Sequence, residues 1–207
     1  MVALLGAGAR ESAAQAKADA PLLVVGDSLS AEYGLERGSG WVALLKQRMA
    51  REKISMPVVN ASISGDTTSG GRSRLAALLT QHAPAVLVIE LGGNDALRGL
   101  PLTMTQANLT AMVQAGKAAG ARVLIVGMQV PPNYGAKYGQ DFSALFTSVA
   151  KAEAASLVPF LLQGVADAPN AESLFQADRI HPTAAAQARM LDNVWPVLRP
   201  LLKGASR

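Results

Sequence analysis

The sequence predicts an α/β protein, built as a three-layer α/β/α sandwich around a parallel five-stranded sheet. Two observations lead to this prediction. Short apolar runs rich in Val, Leu and Ile alternate with longer segments whose apolar residues have helical spacing. The runs are apolar almost without interruption, which is typical of strands buried on both faces of a parallel sheet. Right-handed crossovers between such strands place helices on both sides of the sheet.

Five segments have the length and apolar character of strands: residues 21–25, 56–61, 85–91, 122–128 and 157–162. Helical spacing predicts five helices: residues 41–53, 71–82, 105–119, 141–156 and 182–198. Pro182 would occupy the first position of the last helix, where proline fits well. The Pro-Pro-Asn-Tyr-Gly sequence at 131–135 predicts a loop without regular structure.

Composition excludes several classes of site and partner. The 207 residues, half of them apolar and 16% charged, suit one globular domain with a substantial core. The absence of cysteine excludes disulfides, thiolate catalysis and zinc–sulfur sites, and two histidines are too few for a histidine-rich metal site. The net charge of +4 comes from scattered Lys and Arg, so nucleic-acid binding is not predicted. No stretch approaches the ~18 apolar residues of a membrane span.

The first twenty residues differ in composition from the rest. A short apolar patch is followed by an alanine-rich stretch with two small-x-small sequences, at 14–16 and 18–20, the form of a signal-peptidase site. A truncated secretory signal and a flexible N-terminal extension explain this segment equally well. The first alternative predicts a periplasmic or secreted protein, and the second leaves the cytoplasm open. Residues 21–207 are predicted to be the folded domain.

The sequence Gly-Asp-Ser-Leu-Ser at 26–30 follows the first predicted strand. Ligands bind at the carboxyl ends of the strands in open α/β sheets, so Ser28 would be presented at the edge where binding occurs. By itself the motif permits two interpretations, since Asp and Ser are also the commonest helix N-cap residues. The rest of the chain decides between a cap and a nucleophile.

Two further strands end in polar turns, Ser64-Gly65-Asp66 and Gly93-Asn94-Asp95, and Asp178 precedes His181 by three residues near the C-terminus. Residues three apart share one side of a helical turn, so Asp178 could orient the His181 ring toward Ser28. Ser28 would then be the nucleophile and His181 the general base and acid. The candidate oxyanion donors are the backbone N–H groups of Ser28 and Gly65 and the Asn94 side-chain amide. His82 ends a predicted helix and is interpreted as structural.

At this point the chain resembles the SGNH (GDSL) hydrolases, a family named for one Ser, Gly, Asn and His in separate blocks. The blocks here are residues 26–30, Gly65, 93–95 and the Asp178/His181 pair, in the family's order. The resemblance runs from about residue 21 to 202 and is closest to the bacterial branch of thioesterase I/lysophospholipase L1 and arylesterases. It rests further on residues 59–67, 90–99 and 132–135.

The resemblance implies a flavodoxin-like fold, a cofactor-free triad, no metal and a broad, shallow site for small acyl esters or thioesters. Many enzymes of the branch are periplasmic. Candidate lining residues for the acyl group are Leu97, Leu100, Val130, Pro131 and Tyr134, with plain surface loops as the alternative. Glu32 would place a carboxylate near the mouth of the site. The 128–135 loop looks short, so acyl-chain preference is not carried over from the family.

Two other functions compete with an esterase or thioesterase. A carbohydrate O-deacetylase would use the same residues, but the apolar candidates favour lipid-like acyl groups. A non-catalytic module could bind phosphate or flavin at the first strand's turn, yet it would have no use for Asn94 or for the Asp178/His181 spacing. The sequence does not fix the physiological substrate, the preference between oxyester and thioester, or the oligomeric state; a monomer is compatible with it.

Overall fold

A five-stranded, fully parallel sheet with the order β2-β1-β3-β4-β5 forms the centre of the molecule, as predicted. The computed structural model describes residues 20–203. The strands are β1 (Leu22–Gly26), β2 (Val58–Asn60), β3 (Val86–Glu90), β4 (Arg122–Val126) and β5 (Ser156–Val158). This order is that of flavodoxin-like folds, in which ligands bind where the strand order reverses, between β1 and β3.

Seven α-helices lie within the described residues, five between the strands and two after the last strand. They are α1 (Trp41–Arg51), α2 (Thr68–His82), α3 (Gly93–Leu97), α4 (Leu102–Ala118), α5 (Ala136–Ala152), α6 (Ala171–Leu174) and α7 (Gln187–Leu202). The long helices form two groups: α1 packs on α7, while α2, α4 and α5 pack side by side. With the sheet between them, these groups make the predicted three layers. None of the helices between residues 20 and 203 is long and apolar enough to cross a membrane.

The hydrophobic core lies on both faces of the central strands. Every residue of β1 and β3 is buried, and so are the apolar stripes of the flanking helices, including Trp41, Phe142 and Trp195. The uninterrupted apolar runs at 22–25 and 86–89 are therefore explained by burial on two faces. Glu90 is the exception, because it ends β3 as a fully buried carboxyl group.

Helix boundaries differ from the prediction where polar residues or glycines interrupt the helical spacing of the apolar residues. α2 begins at Thr68, not at residue 71, and its N-cap Thr67 accepts a hydrogen bond from the Gly70 N–H. α5 runs from 136 to 152 instead of 141–156, beginning directly after Gly135, whose φ is +88°. Residues 132–134, predicted to be irregular, form one turn of 3₁₀ helix.

The C-terminal prediction is wrong in one respect. Pro182 does not begin the last helix; it is buried and forms an isolated antiparallel bridge with Phe175. A 3₁₀ turn at 184–186 leads into α7, which begins at Gln187. The segment from Phe175 to Pro182 is thus a closed loop, which we call the His loop because it carries His181.

Four predicted strands are shorter in the structure, and two of them have only three residues. β2 spans residues 58–60 instead of 56–61, and β5 spans 156–158 instead of 157–162. β5 ends before Pro159, which has no N–H to donate to a ladder. Residues 93–95, predicted to be a turn, are instead the first residues of α3. This short helix directly follows the positive φ of Gly92 (+120°).

Candidate active site

The turn after β1 holds Ser28 outward while its neighbours are buried beneath it. Gly26 lies opposite Glu90 in the β1–β3 register. A Cβ at residue 26 would lie 2.8 Å from Ser30 Oγ and 2.9 Å from Glu90 Oε2, so only glycine fits. Ser30 Oγ donates to Glu90 Oε2 (2.7 Å) and accepts from Trp41 Nε1 (3.2 Å). Glycine is therefore required here by close packing.

Ser28, His181 and Asp178 form one continuous hydrogen-bonded chain. His181 Nε2 lies 2.8 Å from Ser28 Oγ, and His181 Nδ1 lies 2.6 Å from Asp178 Oδ2. The expectation that a helical turn relates Asp178 and His181 is wrong. Asp178 Oδ1 accepts the backbone N–H groups of Ile180 (2.9 Å) and His181 (3.0 Å), and Arg179 has a φ of +56°. The carboxylate itself folds this turn, which is a common use of aspartate.

The charge of Asp178 is stabilised by the same turn. The backbone N–H of His181 contributes most to lowering the pKa of Asp178 to about 2, and the His181 side chain and the Ile180 N–H lower it further. The carboxylate is therefore ionised at neutral pH. An ionised acceptor at Nδ1 keeps the imidazole proton on that nitrogen and leaves Nε2 free to accept the serine proton.

Sequence reasoning missed two residues that hold the His loop against the nucleophile turn. Gln176 bonds to the loop itself through its N–H, which donates to His181 O (2.8 Å). Its side-chain amide donates to Tyr33 O (2.9 Å) and to Pro182 O (3.1 Å). The Tyr33 ring packs on the imidazole, with 4.3 Å between ring centroids. The sequence could have indicated Tyr33, because it lies only five residues after Ser28, but no pattern in the sequence indicates Gln176.

Gly65 lies in the loop after β2, in a conformation with a φ of +78°. Two hydrogen bonds fix this loop. The N–H of Ile63 donates to Gly26 O (3.0 Å), which ties the loop to the end of β1. Arg98 Nη2 donates to Gly65 O (2.7 Å). These bonds hold the loop of Gly65 between the end of β1 and Arg98, which directly follows α3.

Asn94 is the second residue of α3, at the end of β3. Its Nδ2 donates to Asp27 Oδ2 (3.0 Å), and Asp27 Oδ1 in turn accepts the N–H of Leu29 (3.0 Å). Asp27 therefore shapes its own turn, as expected, and also contacts the amide that the sequence selected as an oxyanion donor. One hydrogen of that amide is occupied by Asp27, and the other is available.

A pair of buried carboxyl groups lies beneath these residues. Asp27 is 2% exposed and Glu90 is 0% exposed, and the Asp27 N–H donates to Glu90 Oε2 (3.4 Å). Burial raises the pKa of Asp27 to about 6, against the opposing hydrogen bonds from Leu29 and Asn94. Burial, with a smaller contribution from the Asp27 charge, raises the pKa of Glu90 well above its usual range. Two adjacent buried charges would be costly, so the folded protein keeps Glu90 neutral.

Glu90→Gln is expected to flatten the fall of stability with rising pH. A group whose pKa is raised on folding contributes stability that is complete below its unfolded-state pKa, about 4.3 for Glu, and is lost as the pH rises toward the folded-state value. Melting temperatures between about pH 4.5 and about pH 8 should therefore fall less for Glu90→Gln than for wild type. The exposed Glu172, substituted likewise, should follow wild type. Parallel slopes for Glu90→Gln and wild type would contradict a neutral Glu90.

Other polar residues near the site brace the scaffold. Asp66 pairs with Arg74 (2.8 Å). Asp95 is fully buried and accepts hydrogen bonds from the Thr68 N–H and hydroxyl and from the Thr105 hydroxyl, so it joins α3 to α2 and α4. The Glu32 carboxylate accepts the N–H groups of residues 38 and 40 and so closes its own loop.

The five residues predicted to line an acyl site fall into two groups. Leu97 ends α3 with 44% of its surface exposed, and Leu100 follows it, half-buried. Val130 lines a groove of about 330 Å³ together with residues 129, 136, 139, 140 and 143. Next to Val130, Pro131 is exposed, and Tyr134 stacks on Tyr138 at 6.1 Å. A substrate-lining role for these five residues stays a prediction.

Comparisons with known proteins give relatives over most of the chain. The profile of the GDSL-like Lipase/Acylhydrolase family matches residues 24–189. The chain is 55% identical over 181 residues to the esterase TesA of Pseudomonas aeruginosa, covering 87% of this chain and 89% of that protein. It is 42% identical to the thioesterase 1/protease 1/lysophospholipase L1 of Escherichia coli K12, covering 87% of this chain and 84% of that protein.

A solved structure gives the same result for the fold. The crystal structure of the psychrotrophic esterase EstA from Pseudoalteromonas sp., inhibited by monoethylphosphonate, superposes with a TM-score of 0.82 at 39% identity. The match covers 89% of this chain and all of the EstA chain. Sequence and structure therefore lead to one conclusion: the chain belongs to the GDSL-like lipase/acylhydrolase family, the SGNH hydrolases, as its four motif blocks predicted.

Proposed function

We propose that the chain is a serine esterase and thioesterase that cleaves small carboxylic esters and thioesters through an acyl-enzyme on Ser28. The observation that carries the proposal is the unbroken chain from Ser28 Oγ through both ring nitrogens of His181 to Asp178, with heavy-atom distances of 2.8 and 2.6 Å. The names of the relatives (esterase, thioesterase 1, lysophospholipase L1) support the substrate class. These names cover both oxyesters and thioesters.

The proposed reaction has two halves. Ser28 Oγ attacks the acyl carbon while His181 Nε2 takes the serine proton, and the same nitrogen then protonates the departing alcohol or thiol. A water molecule next attacks the acyl-enzyme with His181 as general base, and the carboxylic acid leaves. Asp178 stabilises the charged imidazole in both halves and remains ionised, in keeping with its low pKa.

The proposed oxyanion donors are the backbone N–H of Ser28, the backbone N–H of Gly65 and Asn94 Nδ2. Support comes from their positions after the carboxyl ends of the adjacent strands β1, β2 and β3, and from the hydrogen bonds that hold the last two residues, Arg98 to Gly65 O and Asn94 to Asp27. Each such donor typically contributes 10²–10³ in turnover. The inhibition of the EstA relative by a phosphonate is consistent with a serine nucleophile of this kind.

The acyl group is proposed to lie along Leu97 and Leu100 on one side and Val130, Pro131 and Tyr134 on the other. Support comes from the exposed Leu97 side chain next to α3 and from the groove at Val130. Exposed apolar surface at the edge where ligands bind suits an acyl chain better than a sugar. We propose a periplasmic or secreted location, supported by the two small-x-small sequences before residue 21, which lie outside the described residues.

The function is tested with p-nitrophenyl esters from acetate to palmitate at about pH 8, with an acyl-CoA thioester assayed in parallel. We expect turnover of the esters and of the thioester. A fluorophosphonate should block both activities, and the added mass should lie on the peptide that contains Ser28. Folded protein that hydrolyses no member of the series, or an adduct on another residue, would contradict the proposal.

A further inference from the structure

The contact between Asp27 and Asn94 gives one member of the buried carboxyl pair, Asp27, a use in the reaction. An asparagine amide presents an oxygen on one side and two N–H groups on the other, and only an N–H can stabilise an oxyanion. An Asn94 rotated by half a turn about its last bond would present its carbonyl oxygen to the developing negative charge. The site therefore needs a group that distinguishes the two ends of this amide.

Asp27 has the chemistry for this task, because an ionised carboxylate only accepts hydrogen bonds. Its Oδ2 lies 3.0 Å from Asn94 Nδ2, so the amide nitrogen must face it. Its Oδ1 accepts the Leu29 N–H at 3.0 Å, which prevents the carboxylate from rotating away. Since the side chain is almost fully buried, no solvent competes for either oxygen.

Glu90 explains how a charge can remain at this depth. It accepts from Ser30 Oγ and from the Asp27 N–H through Oε2 alone, and its Oε1 has no hydrogen-bond partner among residues 20–203. Asp27, in contrast, uses both oxygens. Each carboxyl group accepts two hydrogen bonds, but Asp27 has a donor at each of its oxygens whereas Glu90 has a bare Oε1, so the charge is better placed on Asp27 and the proton on Glu90. Glu90 makes no hydrogen bond to Asn94 or to a triad side chain within the described residues.

We propose that Asp27 is a positioning residue for the oxyanion hole, whose carboxylate fixes the Asn94 amide so that its second Nδ2–H faces the substrate oxygen. The proposal rests on the esterase function proposed above. It gives the Asp of the Gly-Asp-Ser sequence a role in transition-state stabilisation, exerted entirely through Asn94. Its effect should therefore disappear when Asn94 is removed.

The test is a double-mutant cycle with Asp27→Asn and Asn94→Ala on a p-nitrophenyl ester. Asn94→Ala should lower kcat by about 10²–10³, with little change in KM. Asp27→Asn keeps the shape but replaces one acceptor by a donor, so it should lower kcat roughly 10- to 100-fold with KM within about threefold. The double variant should match Asn94→Ala within about threefold. Mass spectrometry verifies that the new amide has not deamidated.

Glu90→Gln is the matched control, since it removes the other carboxyl of the pair and should keep kcat within about threefold of wild type. Wild-type kcat for Asp27→Asn, or losses that multiply in the double variant, would overturn the proposal while leaving the esterase function intact. Failure of the esterase function itself would appear as absent turnover in the wild-type protein, or as activity that does not need Ser28.

If Asp27→Asn does not fold, as judged by circular dichroism, nuclear magnetic resonance of the wild-type protein answers the same question. The two Nδ2 protons of Asn94, identified by their loss in Asn94→Ala, should differ in solvent exchange. The proton donated to the buried Asp27 should exchange slowly, and the one that faces the site should exchange fast. Equal, fast exchange of both protons would overturn the proposal.

Discussion

Replacing Ser28 with alanine is expected to lower kcat on p-nitrophenyl esters by about four to six orders of magnitude. The alanine removes the hydroxyl oxygen that lies 2.8 Å from His181 Nε2 and with it the nucleophile that forms the acyl-enzyme. The oxyanion donors and the binding surface remain, so a residual rate on the order of 10³ above water is expected. Steady-state kinetics of purified protein measures the loss, and KM should change little.

Ser30 supplies the matched control, because it lies in the same turn with its hydroxyl directed inward to Glu90 and Trp41. Ser30→Ala should lower the free energy of unfolding by about 1–3 kcal/mol, since it leaves buried partners unsatisfied, and should keep most of the activity. We therefore expect the substitution of Ser28 to affect mainly kcat and the substitution of Ser30 to affect mainly the free energy of unfolding. An active Ser28→Ala protein would reduce Ser28 to a turn residue.

Asp178→Asn is expected to lower kcat on the order of 10³- to 10⁴-fold. The asparagine can still accept the turn hydrogen bonds of residues 180 and 181 through its oxygen, so the His loop keeps its shape. Its amide nitrogen then faces His181 Nδ1 and donates to it, which moves the ring proton to Nε2. An Nε2 that carries a proton cannot accept the proton of Ser28. The loss of kcat would come from the wrong tautomer of His181. Substrate binding is not affected by this change, so KM should be nearly unchanged.

Asp192 provides the comparison for this variant. It is an aspartate of α7, and its Oδ1 pairs with Arg48 Nη1 at 2.7 Å on the surface. Asp192→Asn should leave kcat unchanged, because exposed ion pairs contribute little and no histidine is in contact with it. Equal activity of Asp178→Asn and wild type would show that the imidazole does not need the carboxylate, which would contradict the proposed mechanism.

The fold was predictable because its signal is strong: strands buried on both faces have apolar runs that few other elements share. The errors in the predicted helix boundaries lie where a local interaction, such as a cap or a bridge, outweighs the spacing of the apolar residues. α2 begins three residues early since Thr67 caps a polar, glycine-containing first turn. The last helix begins late because Pro182, a plausible first helical residue, is used instead in a bridge with Phe175. A proline pattern cannot distinguish these two uses.

Of the site, the sequence identified Ser28, Asp178 and His181 as partners, and the structure brings them into contact. It did not give the geometry, since the three-residue spacing suggested a helical turn where Asp178 folds a turn of its own. The contacts of Gln176 could not be predicted from the sequence either, because they depend on how two loops that are distant in sequence pack together. From the sequence, Glu90 was predicted only as part of a strand. Its burial next to Asp27 depends on the register of β1 and β3, which pairs Gly26 with Glu90.

The closed His loop also bears on how heat would stop the reaction. His181 and Asp178 lie within one bridged segment, so their mutual geometry is local, whereas the distance from His181 to Ser28 depends on the docking of that segment through Gln176 and Tyr33. Such surface loops open at lower free-energy cost than central strands. The working temperature of the catalyst would then be set by loop undocking, a reversible loss that precedes melting of the sheet.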